Sequence, residues 1–254
     1  SAISIITNKV SQAASEWQNR PLESLYMIVW MDGIVFKVRE NGKVINKTVY
    51  LCVGLNKEGL KEVLGMWVGK NESAAFWMGV LTDLKARGVE DILITVTDNL
   101  NGFTETIKSV FPTSTTQICV VHQIRNSCRY VVWKEKKEFT SDLKNIYNAP
   151  TKEAAKMELE NFEQKWGTKY PYAIRSWRNN WEELTVFFDF PVEIRKIIYT
   201  TNLIENLNGK IRKYTKNKLS FPNDDALKKS VYLAITEIEK KWYQPIWNWA
   251  LIFN

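Results

Sequence analysis

The sequence contains little cysteine, one histidine and no long apolar run. Three cysteines in 254 residues are an odd number spread along the chain, which argues against a disulfide framework and favours a reducing compartment. No signal peptide is recognisable, and no apolar stretch is long enough to cross a bilayer. Internal repeats and low-complexity tracts are also lacking. We therefore expect a cytoplasmic protein that does not contact a membrane.

The composition is that of a globular protein with a basic surplus. A length of 254 residues with 45% hydrophobic content suffices for one large domain or for a domain with a sizeable insertion. Lys and Arg outnumber Asp and Glu by 35 to 28, which gives a formal charge of +7. A surplus of this sign favours a polyanionic partner, although many basic proteins bind no nucleic acid.

The segment 26–38 (YMIVWMDGIVFKV) is dense in β-branched and aromatic residues and predicts a strand. Both of its faces are apolar, which is typical of the middle of a covered sheet. Asp32 lies within it, and a lone carboxylate there costs several kcal/mol unless it is paired, protonated or bound to a cation. Two interpretations stay open: Asp32 is satisfied by a neighbouring Arg or Lys, or it is a metal ligand.

The remaining pattern up to residue 122 predicts a mixed five-stranded sheet with flanking helices. Asn41-Gly42 predicts a hairpin turn, and the strands 44–55 and 62–68 complete an antiparallel meander. A helix over 73–87, capped by Ser73 and ended by Gly88, precedes a strand over 91–96. A short helix over 101–111 and a fifth strand over 116–121 follow.

The character of the sequence changes after His122. Residues 123–198 are rich in basic and aromatic residues at helical spacing, and they predict an all-α insertion. The segment 200–218 (TTNLIENLNGKIRKYTKNK) predicts a helix capped by one of its first three residues, and 223–241 predicts a last long helix. The chain then divides into a first part of the core (1–122), the insertion (123–198) and the closing helices (199–254).

Two further carboxylates accompany Asp32. Asp98 follows a buried strand, where sites gather in open α/β sheets, although a turn or helix-cap role is the more ordinary interpretation. Glu205 lies on a helix with Asn202 and Asn208 near the same face, and the alternative there is a solvated charged helix. The three carboxylates can meet at one edge of the sheet. Three hard oxygen ligands would suit Mg²⁺ or Mn²⁺.

Five separated motifs in the same order resemble the DDE transposases of the IS256 (Mutator-like) family. They are WMDGI around Asp32, TVTDNLNGF around Asp98, ICVVHQIRN from Ile118, RSWRNNWEEL from Arg175 and IYTTNLIENLNGKIRK around Glu205. The resemblance implies a ribonuclease H-like catalytic domain interrupted by an α-helical insertion between the second Asp and the Glu. It also implies that Asp32, Asp98 and Glu205 are the catalytic triad.

The activity that this resemblance implies is DNA cleavage and strand transfer at transposon ends. Two Mg²⁺ or Mn²⁺ ions held by the triad would support an in-line displacement. The implied partner is double-stranded DNA, bound by a homodimer in a bacterial cytoplasm. Family members carry an N-terminal DNA-binding region and a longer C-terminal tail, which the 254 residues of this sequence do not include. We therefore expect these residues to recognise specific transposon ends weakly. The alternatives are a truncated or domesticated transposase that binds DNA without cutting, and a structure-selective nuclease.

The residues around the triad also have expected roles. Cys119-x-x-His122 is the family's short Cys/His motif, but the second Cys-x-x pair of a zinc site is missing, so zinc is not expected. We expect His122 to orient a catalytic carboxylate or to contact DNA phosphate, with Cys119, Asn202 and Asn208 beside it. The residues expected to contact phosphate are Arg125, Arg129, Lys210, Arg212, Lys213, Lys216 and Lys218.

Overall fold

The computed structural model describes residues 1–199 and 203–253. Its five-stranded sheet has the order β3-β2-β1-β4-β5, which puts the strand that carries Asp32 in the middle. β1 pairs with β2 and β2 with β3, in both cases antiparallel, which confirms the predicted meander in a mixed sheet. The strands are β1 (Leu25–Glu40), β2 (Lys43–Leu55), β3 (Lys61–Gly69), β4 (Asp91–Thr97) and β5 (Thr115–Ile118).

The β1–β2 hairpin forms as its turn residues predict. Asn41 and Gly42 both have positive φ, at 50° and 76°, which is the conformation that a tight two-residue hairpin requires. The pairing runs from Glu40 opposite Lys43 to Ile28 opposite Leu55 without interruption. Because a slip of one residue would turn every side chain to the other face, this long register fixes the direction in which Asp32 points.

The chain forms two compact units. The first comprises Ser1–Thr95, Leu100–Thr115 and the described residues from Leu203 onward, and the second comprises Val96–Asn99 and the described residues from Thr116. The helices of the first unit are α1 (Ala2–Asn19), α2 (Ala74–Ala86), α3 (Phe103–Val110), α10 (Leu203–Thr215), α11 (Asp224–Glu239) and α12 (Trp249–Phe253). Those of the second are α4 (Val120–Ser127), α5 (Lys136–Tyr147), α6 (Lys152–Trp166), α7 (Pro171–Asn179), α8 (Trp181–Leu184) and α9 (Val192–Tyr199).

Helices cover the sheet in the first unit. Side chains of α2 and α3, among them Trp77, Leu81 and Phe103, form one buried cluster with residues of β1, β2 and β3. α10 packs against β1 and β2, and α11 and α1 pack against β3. After α10 the chain returns to β1, where the Phe221 N–H donates to the Lys37 carbonyl at 2.9 Å and Arg39 N–H donates to the Phe221 carbonyl at 2.8 Å.

Aromatic rings form the core of the second unit. Phe139 makes edge contacts with Phe162, Trp166 and Tyr170, at centroid distances of 5.0, 5.4 and 5.5 Å. Trp177 is buried and donates its indole N–H to the Ser127 hydroxyl at 2.9 Å, which ties α7 to α4. The helical pattern predicted for this part of the sequence is therefore correct, and its buried side supplies the core.

The structure corrects two boundaries. The fifth strand was expected over 116–121, but β5 ends at Ile118, and Val120 already begins α4. The basic run from Lys210 to Lys218 was expected on one helix, but α10 ends at Thr215, so Lys216 and Lys218 follow it. The cap expected at residues 200–202 lies outside the described residues. No helix of the described chain is long and apolar enough to span a membrane.

A carboxyl group is half-buried where α11 meets β3. Burial raises the pKa of Glu239 to about 7; the charge of Arg20 opposes this shift, and the charge of Glu62 reinforces it. Glu62 itself pairs with the Arg20 guanidinium at 2.8 Å and accepts the Tyr26 hydroxyl at 3.1 Å. The native state therefore holds a proton on Glu239 at pH values at which the unfolded chain has released it.

We expect Glu239→Gln to remove part of the pH dependence of stability. Because the folded pKa is raised, the stabilisation by protonated Glu239 is complete below about pH 4.5 and disappears as the pH rises through about 7. Urea unfolding at pH 8 should show the variant about 2 kcal/mol more stable than the wild type, and at pH 4 the two should agree. Glu237→Gln, on the exposed side of the same helix, should show no such difference; an equal effect there would refute the assignment.

Candidate active site

Asp32 lies near the middle of β1, opposite Leu51 of β2, and its side chain is half-buried. Its Oδ1 accepts a hydrogen bond from the backbone N–H of Gly33 at 2.8 Å. Its Oδ2 accepts one from the side-chain amide of Asn208 at 2.9 Å. An ionised carboxylate accepts about four hydrogen bonds and is also a good ligand for divalent cations.

Gly33 lets β1 and β2 approach closely beside Asp32. A Cβ at position 33 would lie 2.6 Å from Cγ2 of Thr48 and 3.4 Å from the Tyr50 ring, so a larger residue would displace the Thr48 side chain or the strand itself. Glycine at this position therefore leaves the pairing of β1 with β2 undisturbed beside Asp32.

α10 brings Asn208 to Asp32. Its buried side is formed by Leu203, Ile204, Leu207, Asn208, Ile211 and Thr215, at the spacing of one helix face. Asn208 is 8% exposed, and within the described chain its Oδ1 is buried without a hydrogen-bond partner. Glu205 precedes Asn208 by three residues and is half-buried, so the two side chains project from the same side of the helix.

Asp98 and His122 are brought together by the end of β4. Asp98 follows the last residue of this strand, is half-buried, and accepts the N–H of Asn99 at 2.8 Å. The Thr97 carbonyl accepts the N–H of Cys119 at 2.8 Å, and Cys119 is the cap residue of α4. His122 lies in the first turn of α4, which Gln123 holds to α7 through the Ser176 hydroxyl at 2.9 Å.

The side chains of Asp32, Asp98 and His122 form one group. A carboxylate oxygen of each Asp and a ring nitrogen of His122 all lie within 4.8 Å of one another, and all three side chains are half-buried. Glu205 and Cys119 are not part of this group in the described chain. Asn202 lies outside the described residues. His122 was expected beside the carboxylates, and a nitrogen of its ring lies within 4.8 Å of an oxygen of both Asp32 and Asp98.

This donor set suits a cation. Two carboxylates at such a distance repel each other, and a bound divalent ion, a proton or a cationic side chain relieves the repulsion. Carboxylate oxygens are ligands preferred by Mg²⁺ and Mn²⁺, whereas an imidazole suits softer transition metals.

The basic residues expected to contact DNA lie on the surface. Arg125, Arg129, Arg212, Lys213, Lys216 and Lys218 are exposed. Lys210 is half-buried. The pKa of the Lys61 ammonium is lowered, mainly by its burial and in second place by the nearby charge of Lys210. Lys210, Arg212 and Lys213 lie on α10, the helix whose Asn208 donates to Asp32. A cluster of cations at this place favours an anionic ligand.

Sequence reasoning missed the exposed aromatic residues of the loop between α4 and α5. Trp133 is 87% exposed and Tyr130 is 65% exposed. Their signal in the sequence is the close succession of aromatic and basic residues in RYVVWKEKK, residues 129–137.

Three curated proteins are similar to this chain over most of its length. A probable transposase for an ISRM3-like insertion sequence element from Sinorhizobium fredii is 44% identical over 98% of this chain and 62% of its own length. A probable insertion sequence transposase from Corynebacterium diphtheriae is 40% identical, over 94% of this chain and 70% of that protein. The transposase for IS256 in transposon Tn4001 from Staphylococcus aureus is 27% identical, over 95% of this chain and 63% of that protein.

The family model described as transposase, Mutator family, matches residues 1–245, which is nearly the whole chain. The chain spans about three fifths of the length of the Sinorhizobium relative. The resemblance inferred from the five motifs is confirmed. The chain belongs to the Mutator family of transposases.

Proposed function

We propose that this chain is the catalytic domain of a DDE transposase that performs metal-dependent DNA cleavage and strand transfer at transposon ends. The observation that carries the proposal is the group formed by Asp32, Asp98 and His122, whose ligand atoms lie within 4.8 Å of one another in a chain of the Mutator family. Two carboxylates from adjacent strands of one sheet are suited to holding divalent cations beside a scissile phosphate.

Asp32 and Asp98 would hold the cations, with Glu205 as the third acidic residue implied by the family resemblance. When bound, a pair of Mg²⁺ or Mn²⁺ ions supplies Lewis-acid stabilisation of the attacking and leaving oxygens in an in-line displacement. The protein forms no covalent bond with DNA in this proposal. Its side chains supply geometry and charge.

The neighbouring residues position these carboxylates. The Asn208 amide donates to Oδ2 of Asp32 and the Gly33 N–H donates to Oδ1, so each carboxylate oxygen is held by one hydrogen bond. Glu205 lies one helical turn before Asn208, so a rotation of its side chain directs the carboxylate toward the same region. The His122 ring, close to both Asp32 and Asp98, would orient one of them or donate to a non-bridging phosphate oxygen.

The ribonuclease H-like assignment belongs to the same proposal. A mixed five-stranded sheet with its first acidic residue on the central strand supports it, as does the helical segment between Asp98 and Glu205. Double-stranded DNA is the proposed substrate, with the exposed basic residues after Glu205 along the phosphate backbone. A homodimer on paired ends remains a prediction from the family resemblance.

Divalent cations should stabilise the fold if the carboxylates hold them. In a thermal melt, Mn²⁺ at a hundredfold excess over its Kd should add about 2.7 kcal/mol, a shift of roughly 5 °C. Asp32→Asn should abolish the shift and leave the melt without cation unchanged or raised, because a like charge is removed. Asp91→Asn, at the opposite end of β4 from Asp98, should keep the shift. A large decrease in stability of Asp32→Asn without cation would identify Asp32 as part of a structural ion pair instead.

Nicking of DNA that carries the ends of the element encoding this chain tests the proposed reaction. In Mn²⁺, each of Asp32→Asn, Asp98→Asn and Glu205→Gln should lower the rate by more than about a hundredfold, because removal of a group that merely orients a metal ligand costs 10–100-fold. Asp91→Asn should cut as the wild type does. If Glu205→Gln still cuts while His122→Gln does not, the third acidic residue is misassigned. DNA binding without any cutting would favour the regulatory alternative.

The basic residues from Lys210 to Lys218 should contact the phosphate backbone of DNA. The double variant Lys213→Gln/Lys216→Gln should weaken binding to all sequences alike and lower the slope of log affinity against log salt by about one for each phosphate that is no longer neutralised. The matched control is Lys9→Gln/Lys43→Gln, which removes the same charge from exposed positions elsewhere in the first unit. Fluorescence anisotropy over a series of salt concentrations measures both slopes. Equal slopes for the two double variants would show that the run is only a solvated face.

A further inference from the structure

Trp133 has the largest exposed fraction of any aromatic side chain in the described residues, at 87%. It opens the short 3₁₀ turn Trp133–Glu135 that leads into α5. Tyr130, three residues earlier, is 65% exposed, and the guanidinium of Arg129 lies over its ring at 5.5 Å. Two large aromatic rings, three residues apart in the chain, are thus mostly exposed to solvent, and a cation lies against one of them; both features are common in interaction surfaces.

The exposure of these rings is not the result of a loosely held segment. The N–H of Tyr130 donates to the Tyr172 hydroxyl at 3.3 Å, and the N–H of Val132 donates to the Tyr170 hydroxyl at 3.3 Å. The Tyr172 hydroxyl in turn donates to the Ser127 carbonyl at 2.8 Å. Val131, between the two exposed aromatic residues, is 6% exposed. These hydrogen bonds and the buried Val131 side chain hold the backbone in place, so Tyr130 and Trp133 remain exposed to solvent.

The cations around Trp133 outnumber the carboxylates that are available to them. Glu135 pairs with Lys169 and accepts the Tyr170 hydroxyl at 2.5 Å, and these contacts hold the pKa of its carboxyl below the ordinary value. Glu138 pairs with Lys165 at 2.6 Å. In the described chain no carboxylate pairs with the exposed cations beside the rings. We define the Trp133 surface as these cations and rings: Arg129, Tyr130, Trp133, Lys134 and Lys137.

We propose that the Trp133 surface binds unpaired nucleotides of DNA, with the indole of Trp133 stacked on a base and the flanking cations on the adjacent phosphates. The inference rests on the proposed function, since strand cleavage and transfer open and expose DNA ends. A tryptophan face stacks on any base whose own face is uncovered, and bases inside a duplex have no uncovered face. Arginine and lysine beside such rings are the usual partners of the phosphates that follow.

The charge of this surface favours DNA over a second copy of the chain. In a two-fold symmetric contact the same patch meets itself, so Arg129, Lys134 and Lys137 would face their own copies and repel them. A polyanion with planar bases satisfies both the rings and the cations.

The experiment compares two labelled duplexes of equal length, one fully paired and one with a few unpaired nucleotides at one end. Anisotropy is measured with the whole chain in EDTA, so that no strand is cut. The wild type should bind the frayed duplex about tenfold more tightly than the paired one, within the range of base stacking on an aromatic side chain. Trp133→Ala should abolish this preference and leave the affinity for the paired duplex within about twofold.

Three control variants separate stacking from charge and from folding. Trp247→Ala removes an equally exposed tryptophan, at 85%, from a segment that has no Lys or Arg after Lys241, and it should keep the preference. Trp133→Phe should retain part of the preference, because a smaller ring still stacks. Lys134→Gln/Lys137→Gln should weaken binding to both duplexes and flatten the salt dependence. All variants should have the melting temperature of the wild type, since the substituted side chains are exposed.

The outcomes distinguish this inference from the proposed function. If the wild type binds paired DNA but shows no preference for the frayed duplex, or if Trp133→Ala keeps that preference, the inference is wrong and the proposed function stands. If neither duplex is bound, both are wrong. If Trp133→Ala instead changes the sedimentation of the chain and leaves the preference intact, the surface is a contact between copies, which also overturns the inference.

Discussion

A carboxylate on the central strand of a covered sheet needs partners that replace the water it has given up. Asp32 obtains two of them from the backbone N–H of Gly33 and from the amide of Asn208. The second partner requires α10 to lie on β1 with its buried face in one rotation, because only then does Asn208 reach Oδ2. The solvation of this charge thus depends on the position of the helix that carries Glu205. The same hydrogen bond ties the candidate active site to the folding of the first unit.

Much of the sheet was predictable because its signals are local. The apolar faces of β1, the positive-φ turn at Asn41-Gly42 and the Ser73 cap each lie within a few residues of the structure that they determine. The end of β5 was not predictable in this way. Val120 and Val121 are β-branched and continue an apolar run, yet they begin α4. The neighbouring strand β4 ends at Thr97, whose carbonyl accepts the N–H of Cys119, so β4 offers no partner for residues 120 and 121.

The candidate site was predictable in its residues but not in its geometry. The sequence supplies Asp32 and Asp98 at recognisable positions, whereas the approach of His122 depends on α4 being held by α7, more than 50 residues along the chain. The exposure of Trp133 depends likewise on hydroxyl groups of Tyr170 and Tyr172, which are 38 and 42 residues from the amides that they accept. No window of sequence contains both partners of such contacts, so periodicity and propensity cannot reveal them.

The strand β1 holds both ends of the segment that follows Glu205. Asn208 attaches the middle of α10 to Asp32, and Phe221, beyond the end of the helix, pairs with the backbone of Lys37 and Arg39. These two attachments bracket the second half of α10 and the segment after it, so the helix cannot slide along β1 without breaking one of them. A rotation of the Glu205 side chain breaks neither. Such rotations take picoseconds to nanoseconds, whereas displacements of whole helices take microseconds to milliseconds.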